Sequence, residues 1–277
     1  MKSKKISETD KKHLPLREAG RGLSIVKIGG NVIENKEELS KFLNLFTNLE
    51  GQKILVHGGG KLATQLAKKL GIEAKLVGGR RITDAANLEI ITMTYAGLTN
   101  KKIVVQLQAK NCNAIGLSGA DGNAILAHKR PVAKIDYGFA GDIDTVNSGL
   151  ISKLLTSGLT PVFCAMTHDG KGQLLNTNAD TIAAELAIGM SKYYDTTLYY
   201  CFEKKGVLMD VENEDSVVRH ITSNTYQELL KNGIIADGML PKLENCFHAL
   251  TKHVTKVCIG HPRMLNSKDE LCTTITL

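Results

Sequence analysis

The chain has little to hold it together except packing. Its six cysteines (Cys112, Cys164, Cys201, Cys246, Cys258 and Cys272) are scattered through apolar runs with no C-x-x-C pair. That pattern points to free, buried thiols and away from a disulfide framework or a zinc site. No apolar run approaches the length of about 18 residues that spans a bilayer, and the charged N-terminus lacks the apolar core of a secretory signal. Both absences imply a cytoplasmic protein with no membrane role. No G-x-x-x-x-G-K-[ST] occurs, which excludes the P-loop nucleoside triphosphatases. Internal repeats are missing, as is any Pro/Ser/Gly-rich linker. The lack of tryptophan excludes nothing.

A net charge of +7 invites a nucleic-acid reading, but its distribution argues otherwise. Residues 1–22 hold seven Lys/Arg against three Asp/Glu, so that segment alone contributes +4. It has no apolar periodicity, and the expectation is a disordered extension. In the body, lysines fall on polar faces without interleaved aromatics. A solvated surface and a few cations kept for a small anionic ligand are expected, with no nucleic-acid partner.

At 277 residues, 43% of them hydrophobic, the chain can bury a sizeable core. From residue 23 onward, β-branched runs (23–28, 53–57, 113–117, 160–165, 196–201 and 255–259) alternate with helix-period segments (36–48, 61–70, 85–110, 148–157, 181–190, 225–231 and 240–252). This spacing predicts βαβ units, a mostly parallel sheet and helices on both faces: an α/β fold, an open αβα sandwich. Residues 75–83 and 124–145 break the rhythm and read as β-hairpins over the sheet edge, able to line a ligand site. The loop around Thr167–Gly172 is the expected boundary between an N-terminal lobe, 23–172, and a C-terminal lobe, 173–277.

Four pieces carry the chemistry. Lys27-Ile28-Gly29-Gly30 follows a buried strand, and its glycines let peptide N–H groups approach an anion beside a cation. His57-Gly58-Gly59-Gly60 repeats that arrangement at the next strand–helix turn. Asn176-Thr177-Asn178-Ala179-Asp180 opens a helix with polar residues, and Lys242 adds a cation at another helix start. Two lysines, glycine loops and an aspartate able to hold both lysines suit phosphoryl transfer without a Walker sequence. Gly58–Ala63 also satisfies the dinucleotide pattern G-x-G-x-x-A, but no acidic residue follows about twenty positions later. Arg80 and Arg81 would suit a 2′-phosphate, so an NADP-binding alternative stays open. His57 reads as a packed strand-end residue, not a base.

These motifs, with Gly79-Arg80-Arg81-Ile82-Thr83-Asp84, Gly116–Gly122 and Gly238-Met239-x-x-Lys242, resemble the acylglutamate kinase branch of the amino-acid kinase family in order and spacing over roughly residues 23–260. The resemblance implies a two-lobed fold, the N-terminal lobe binding an N-acyl-glutamate and forming a homodimer, the C-terminal lobe binding ATP. It implies ATP and Mg²⁺ as cofactors, with no metal-ligand set of the chain's own. It assigns catalysis to Lys27, Lys242 and Asp180, and acceptor binding to Gly59, Gly60, Arg81 and Asn176. ATP contacts fall to Gly29, Gly30, Glu203, Lys205, Gly206, Ile235 and Gly238. The residue chemistry agrees with the carboxylate role for Arg81, whose planar guanidinium matches a carboxylate bidentately. The other reading of Asn176, a helix cap, fits Asn178 better.

The chain departs from the family pattern in two places. The adenine-side loop carries Lys204-Lys205 before Gly206, and the C-terminal G-x-G-T element is missing. The missing element, together with an N-terminal segment that lacks an amphipathic pattern, leads to the expectation of a dimer without arginine inhibition. Basic Arg80, Lys129, Arg130 and Lys134 leave N-succinyl-glutamate open beside N-acetyl-glutamate. Aspartate, glutamate, carbamate and UMP kinase activities are the runners-up within the fold, and a non-catalytic sensor the alternative outside it.

Overall fold

The structure is a computed structural model that describes residues 22–78, 80–235, 239–266 and 271–277. The basic segment expected to be disordered lies, apart from Gly22, outside the described residues. The chain runs β1 (Gly22–Ile28), α1 (Gly30–Glu34), α2 (Lys36–Asn48), β2 (Gln52–His57), α3 (Gly60–Lys69) and the small hairpin β3 (Leu76–Val77) and β4 (Arg80–Arg81). Helix α4 (Ala85–Ile91) then passes through a π-helical stretch, Thr92–Thr99, into α5 (Asn100–Gln108). Next come β5 (Ala114–Leu117), β6 (Ile125–Lys129), β7 (Gly141–Val146), α6 (Ser148–Thr156), β8 (Thr160–Cys164), β9 (Met166–His168) and β10 (Leu174–Asn176). The chain ends with α7 (Ala179–Met190), β11 (Asp195–Cys201), β12 (His220–Ile221), α8 (Ser223–Lys231), α9 (Leu240–Thr251), β13 (Lys256–Gly260) and β14 (Thr273–Ile275).

Eight strands form the central sheet in the order β12-β14-β13-β11-β1-β2-β8-β5. Every neighbouring pair is parallel except β13–β14. Because side chains alternate along a strand, a sheet covered by helices must be apolar on both faces. Leu23, Ile25, Ile54 and Val56 pack on one side with Ile182, Ala183 and Leu186 of α7. Val26, Ile28 and Leu55 pack on the other with Phe42, Leu43 and Phe46 of α2 and with Ile103 and Leu107 of α5. The α/β sandwich is as expected, and the six cysteines are free thiols, all but Cys272 buried.

The structure adds what the periodicity did not resolve. The stretch Thr167–Gly172, read as a loop, overlaps β9 and leads into β10; these two strands pair antiparallel and join β6 and β7 in a second, four-stranded sheet. These strands have three residues each, too short for an alternation to register. The expected lobe boundary falls in their turn, while the central sheet continues from β11 to β1 without a break. Strands β12 and β14, also two and three residues long, extend the sheet edge beyond the six runs expected.

Candidate active site

The carboxyl ends of the parallel strands stop together. Ile28 is level with His57 and Cys201, His57 with Cys164, and Cys201 with Gly260. In an open α/β sheet that edge is where ligands bind, because the following loops and helix N-termini converge there. Two cavities open along it. One, about 600 Å³, is lined by Arg81, Asn176, Tyr95, Thr64, Arg80 and Arg130 among others. The second, about 380 Å³, is lined by Lys27, Gly29, Gly30, Asp180, Glu203 and Lys242 among others. Gly58, Gly59, Gly60, Lys61 and Ala179 border both.

The second cavity has its charge organised around one ion pair. Lys27 Nζ, at the end of β1, lies 2.7 Å from Asp180 Oδ1, both side chains largely buried. Asp180 stands in the first turn of α7, where Asn178 caps the helix by accepting from the N–H groups of Asp180 at 2.7 Å and Thr181 at 3.2 Å. The Tyr200 hydroxyl donates to the Asp180 carbonyl at 2.9 Å, pinning the same turn. Burial pushes the Tyr200 phenol well above its ordinary pKa, so it remains a donor. Lys242 Nζ sits 5.7 Å from the centre of the Phe202 ring, an apolar partner that leaves its charge for the cavity.

The glycine loop is strapped from behind. Asn100 Nδ2 donates to His57 Nε2 at 3.0 Å and to the Val162 carbonyl at 2.9 Å, so His57 carries its proton on Nδ1 and donates to the Gly58 carbonyl at 2.7 Å. His57 is fully buried, and desolvation lowers its pKa from 6.5 to about 4. A packed, neutral histidine results, as the sequence suggests, and not a base. Between pH 6.5 and 4 the unfolded chain therefore binds a proton that the folded one refuses. Stability is full above pH 6.5 and falls as the pH drops toward 4, by up to roughly 3 kcal/mol. Thermal melts of the parent and of His57→Gln across that window test this, and equal acid-side slopes would refute it.

A Cβ on Gly59 would lie 2.8 Å from Tyr95 Cδ1, so glycine there lets the loop press against an aromatic ring supplied by the π-helical stretch. Widened turns of this kind aim side chains that an unbroken α-helix would turn elsewhere. In the first cavity, Arg81 is buried and braced: Nη2 donates to the Gly60 carbonyl at 2.9 Å and to Thr64 Oγ1 at 2.6 Å, and Nη1 reaches Asn87 Oδ1 at 3.4 Å. Asn176 Nδ2 donates to Thr83 Oγ1 at 2.9 Å, which leaves its carbonyl as the acceptor.

Residues 22–261 match the Amino acid kinase family. The sequence is 54% identical to the acetylglutamate kinase of Phocaeicola vulgatus over 88% of this chain and 95% of that protein. It is also 54% identical to the acetylglutamate kinase of Cytophaga hutchinsonii, covering 86% of this chain and 90% of that one. The fold superposes on Giardia carbamate kinase with a TM-score of 0.67 at 12% identity, over 93% of this chain and 99% of that one. The chain belongs to the amino acid kinase family.

Within this amino acid kinase, the residues expected to serve phosphoryl transfer and acceptor binding converge: Lys27, Asp180 and Lys242 with Gly29, Gly30 and Glu203, then Gly59 and Gly60, then Arg81 and Asn176. Asn178 takes the capping role and leaves Asn176 free of it. Three expected nucleotide residues line neither cavity. Lys205 is drawn to Asp215 at 2.5 Å. Gly206 is packed where a Cβ would lie 2.6 Å from Thr273 Oγ1, and Ile235 is buried in the core. Gly238 lies outside the described residues. Sequence reasoning missed Tyr95, which no motif marks, and Lys61, whose place directly after three glycines was the available signal.

Proposed function

We propose that the chain phosphorylates the γ-carboxylate of N-acetyl-L-glutamate with Mg-ATP, giving an acyl phosphate and ADP, a step of arginine biosynthesis. The observation that carries this is the meeting of two cavities at one glycine wall, one holding a braced arginine for a carboxylate and the other an aspartate-aligned lysine for a phosphoryl group. Relatives at 54% identity carry the name acetylglutamate kinase. The acceptor lies in the N-terminal lobe, its α-carboxylate on Arg81 and its amide on Asn176, and ATP in the C-terminal lobe. The assembly is a cytoplasmic homodimer.

The reaction requires little of the protein except placement and charge. The acceptor carboxylate is ionised at neutral pH, so no general base is needed. One of its oxygens attacks the γ-phosphorus in line as the bond to the β–γ bridging oxygen breaks, and ADP leaves with that electron pair. Lys27 and Lys242 neutralise the charge on the moving group, and Asp180 keeps Lys27 aimed. Gly59 and Gly60, at the N-terminus of α3, border both cavities. Fixed dipoles and charges of this kind stabilise the transition state without reorganising.

A second acceptor is favoured by one feature. Arg130 is committed to Asp142, with Nη2 at 2.5 Å, whereas the exposed Arg80 lines the same cavity and feels Asp142 only at longer range. It could receive the distal carboxylate of N-succinyl-L-glutamate. Hydroxylamine trapping of acyl phosphate with N-acetyl-L-glutamate, N-succinyl-L-glutamate, free glutamate and aspartate decides between them. Hydroxamate from either acylated glutamate supports the kinase and names its acyl group. Hydroxamate from free glutamate or aspartate alone overturns the acceptor, and none from any of the four overturns the reaction.

A further inference from the structure

Lys61 belongs to neither of the charge arrangements described above, yet it is the one charged residue among those bordering both cavities. It stands in the first turn of α3. A cation there is disfavoured by the helix dipole, whose positive end it shares. Lys27 and Lys242 add to the same positive field, against Asp180 and Glu203. The partners that hold Lys61 are slight: its Nζ donates to Asn31 Oδ1, a neutral amide, and lies 3.7 Å from Glu34 Oε2. The Lys61 side chain remains 60% exposed. A lysine so placed has more to gain from an incoming polyanion than it loses by leaving these partners, since exposed pairs of this kind contribute about 0–1 kcal/mol.

We propose that Lys61 is a third phosphoryl-directed cation, which leaves Asn31 and Glu34 when nucleotide enters and stays with the phosphoryl group as it passes from one cavity to the other. The inference rests on the kinase reading given above. Lys27 and Lys242 line the nucleotide side alone. Lys61 reaches the acceptor side as well, where the new acyl phosphate forms. As the acceptor oxygen bonds to phosphorus and ADP departs with the electron pair, the charge on the transferred oxygens moves toward the acceptor cavity, and Lys61 is the ammonium group positioned to move with it. Its long stem and exposure allow that travel, whereas Lys27 is held by Asp180.

The test compares Lys61→Met, Lys61→Arg and the parent for hydroxamate formation, and for binding of the non-hydrolysable β,γ-imido analogue of ATP against ADP, both with Mg²⁺. Lys61→Met is expected to lower kcat at least tenfold and to weaken the triphosphate analogue three- to tenfold, while ADP affinity changes less than twofold. Lys61→Arg should recover at least half of the lost kcat. A kcat within twofold of the parent, or equal weakening of analogue and ADP, overturns the proposal. Because the residue is exposed, the variants should fold, and an unchanged melting temperature checks that. If the parent forms no hydroxamate with any acceptor, the kinase reading fails on its own, and the triphosphate-against-diphosphate comparison still decides Lys61.

Discussion

Asp180→Asn is expected to lower kcat about 10²–10³-fold, equivalent to about 3–4 kcal/mol of transition-state stabilisation, while the KM for Mg-ATP stays level or falls. The substitution is nearly isosteric, so its effect is electrostatic. Lys27 Nζ lies 2.7 Å from Asp180 Oδ1, and that oxygen is buried without any further donor among the described residues. Removing the charge leaves Lys27 free to swing away from where phosphoryl charge develops. The alignment already present in the folded enzyme is then lost at the moment of transfer. Binding responds in the opposite sense. The nucleotide cavity loses a negative charge and keeps its lysines, so a polyphosphate is attracted at least as well as before. Stability should fall modestly, because a largely buried ammonium loses its counter-ion and α7 loses an acidic group in its first turn. Steady-state kinetics with a parallel nucleotide titration separate the two effects. A rise in KM for Mg-ATP with kcat intact would mean that Asp180 serves binding and not alignment.

What the sequence made visible follows physical locality. The βαβ rhythm was legible because the six adjacent strands from β13 to β5 are runs rich in β-branched and apolar residues, alternating with segments of helical period. Lys27 and Gly59 were legible as candidates because strand–glycine–helix turns concentrate anion-binding chemistry within a few residues, and Asp180 because a run of polar residues opens a strongly helical stretch. Strands β9 and β10 were not, since three residues establish no period, and the place of their hairpin in a sheet is decided by β6, far earlier in the chain. The same limit explains the nucleotide loop. The fold brings Asp215 beside Lys205 and packs Val217 and Thr273 where a Gly206 Cβ would be, neither of which local sequence shows. Tyr95 is the clearest case. It was hidden in an ordinary helical segment, and only the widened π turn carries its ring onto Gly59.

Arg81→Lys should raise the KM for the acylated glutamate about 100-fold and also lower kcat, although the positive charge is retained. Arg81 braces the glycine loop, and in the function proposed above it also holds the substrate carboxylate. A guanidinium offers five N–H donors in a fixed plane, and a lysine offers a point charge with three. In the structure two bonds from Nη2, to the Gly60 carbonyl and Thr64 Oγ1, and a longer one from Nη1 to Asn87 already brace the glycine loop. The donors left over are Nε–H and the second Nη1–H, which point to opposite sides of the guanidinium, so a substrate carboxylate meets single charge-assisted bonds there and not a fork. Lysine cannot brace and grip together. If it holds the loop, the carboxylate loses its charge-assisted partner, at a cost of about 2–3 kcal/mol. If it turns to the substrate, Gly60 loses its brace at the position where its amide must meet the transferred phosphoryl group. The split is measurable. An acceptor-specific KM effect with unchanged KM for Mg-ATP reports the grip, and the accompanying fall in kcat reports the brace. Thr64→Val is the control for the brace. It removes one partner without touching the charge, so it should lower kcat several-fold and move the acceptor KM little. Should Arg81→Lys leave the acceptor KM within threefold of the parent, the carboxylate must be held elsewhere in the cavity, with Arg80 the next residue to replace.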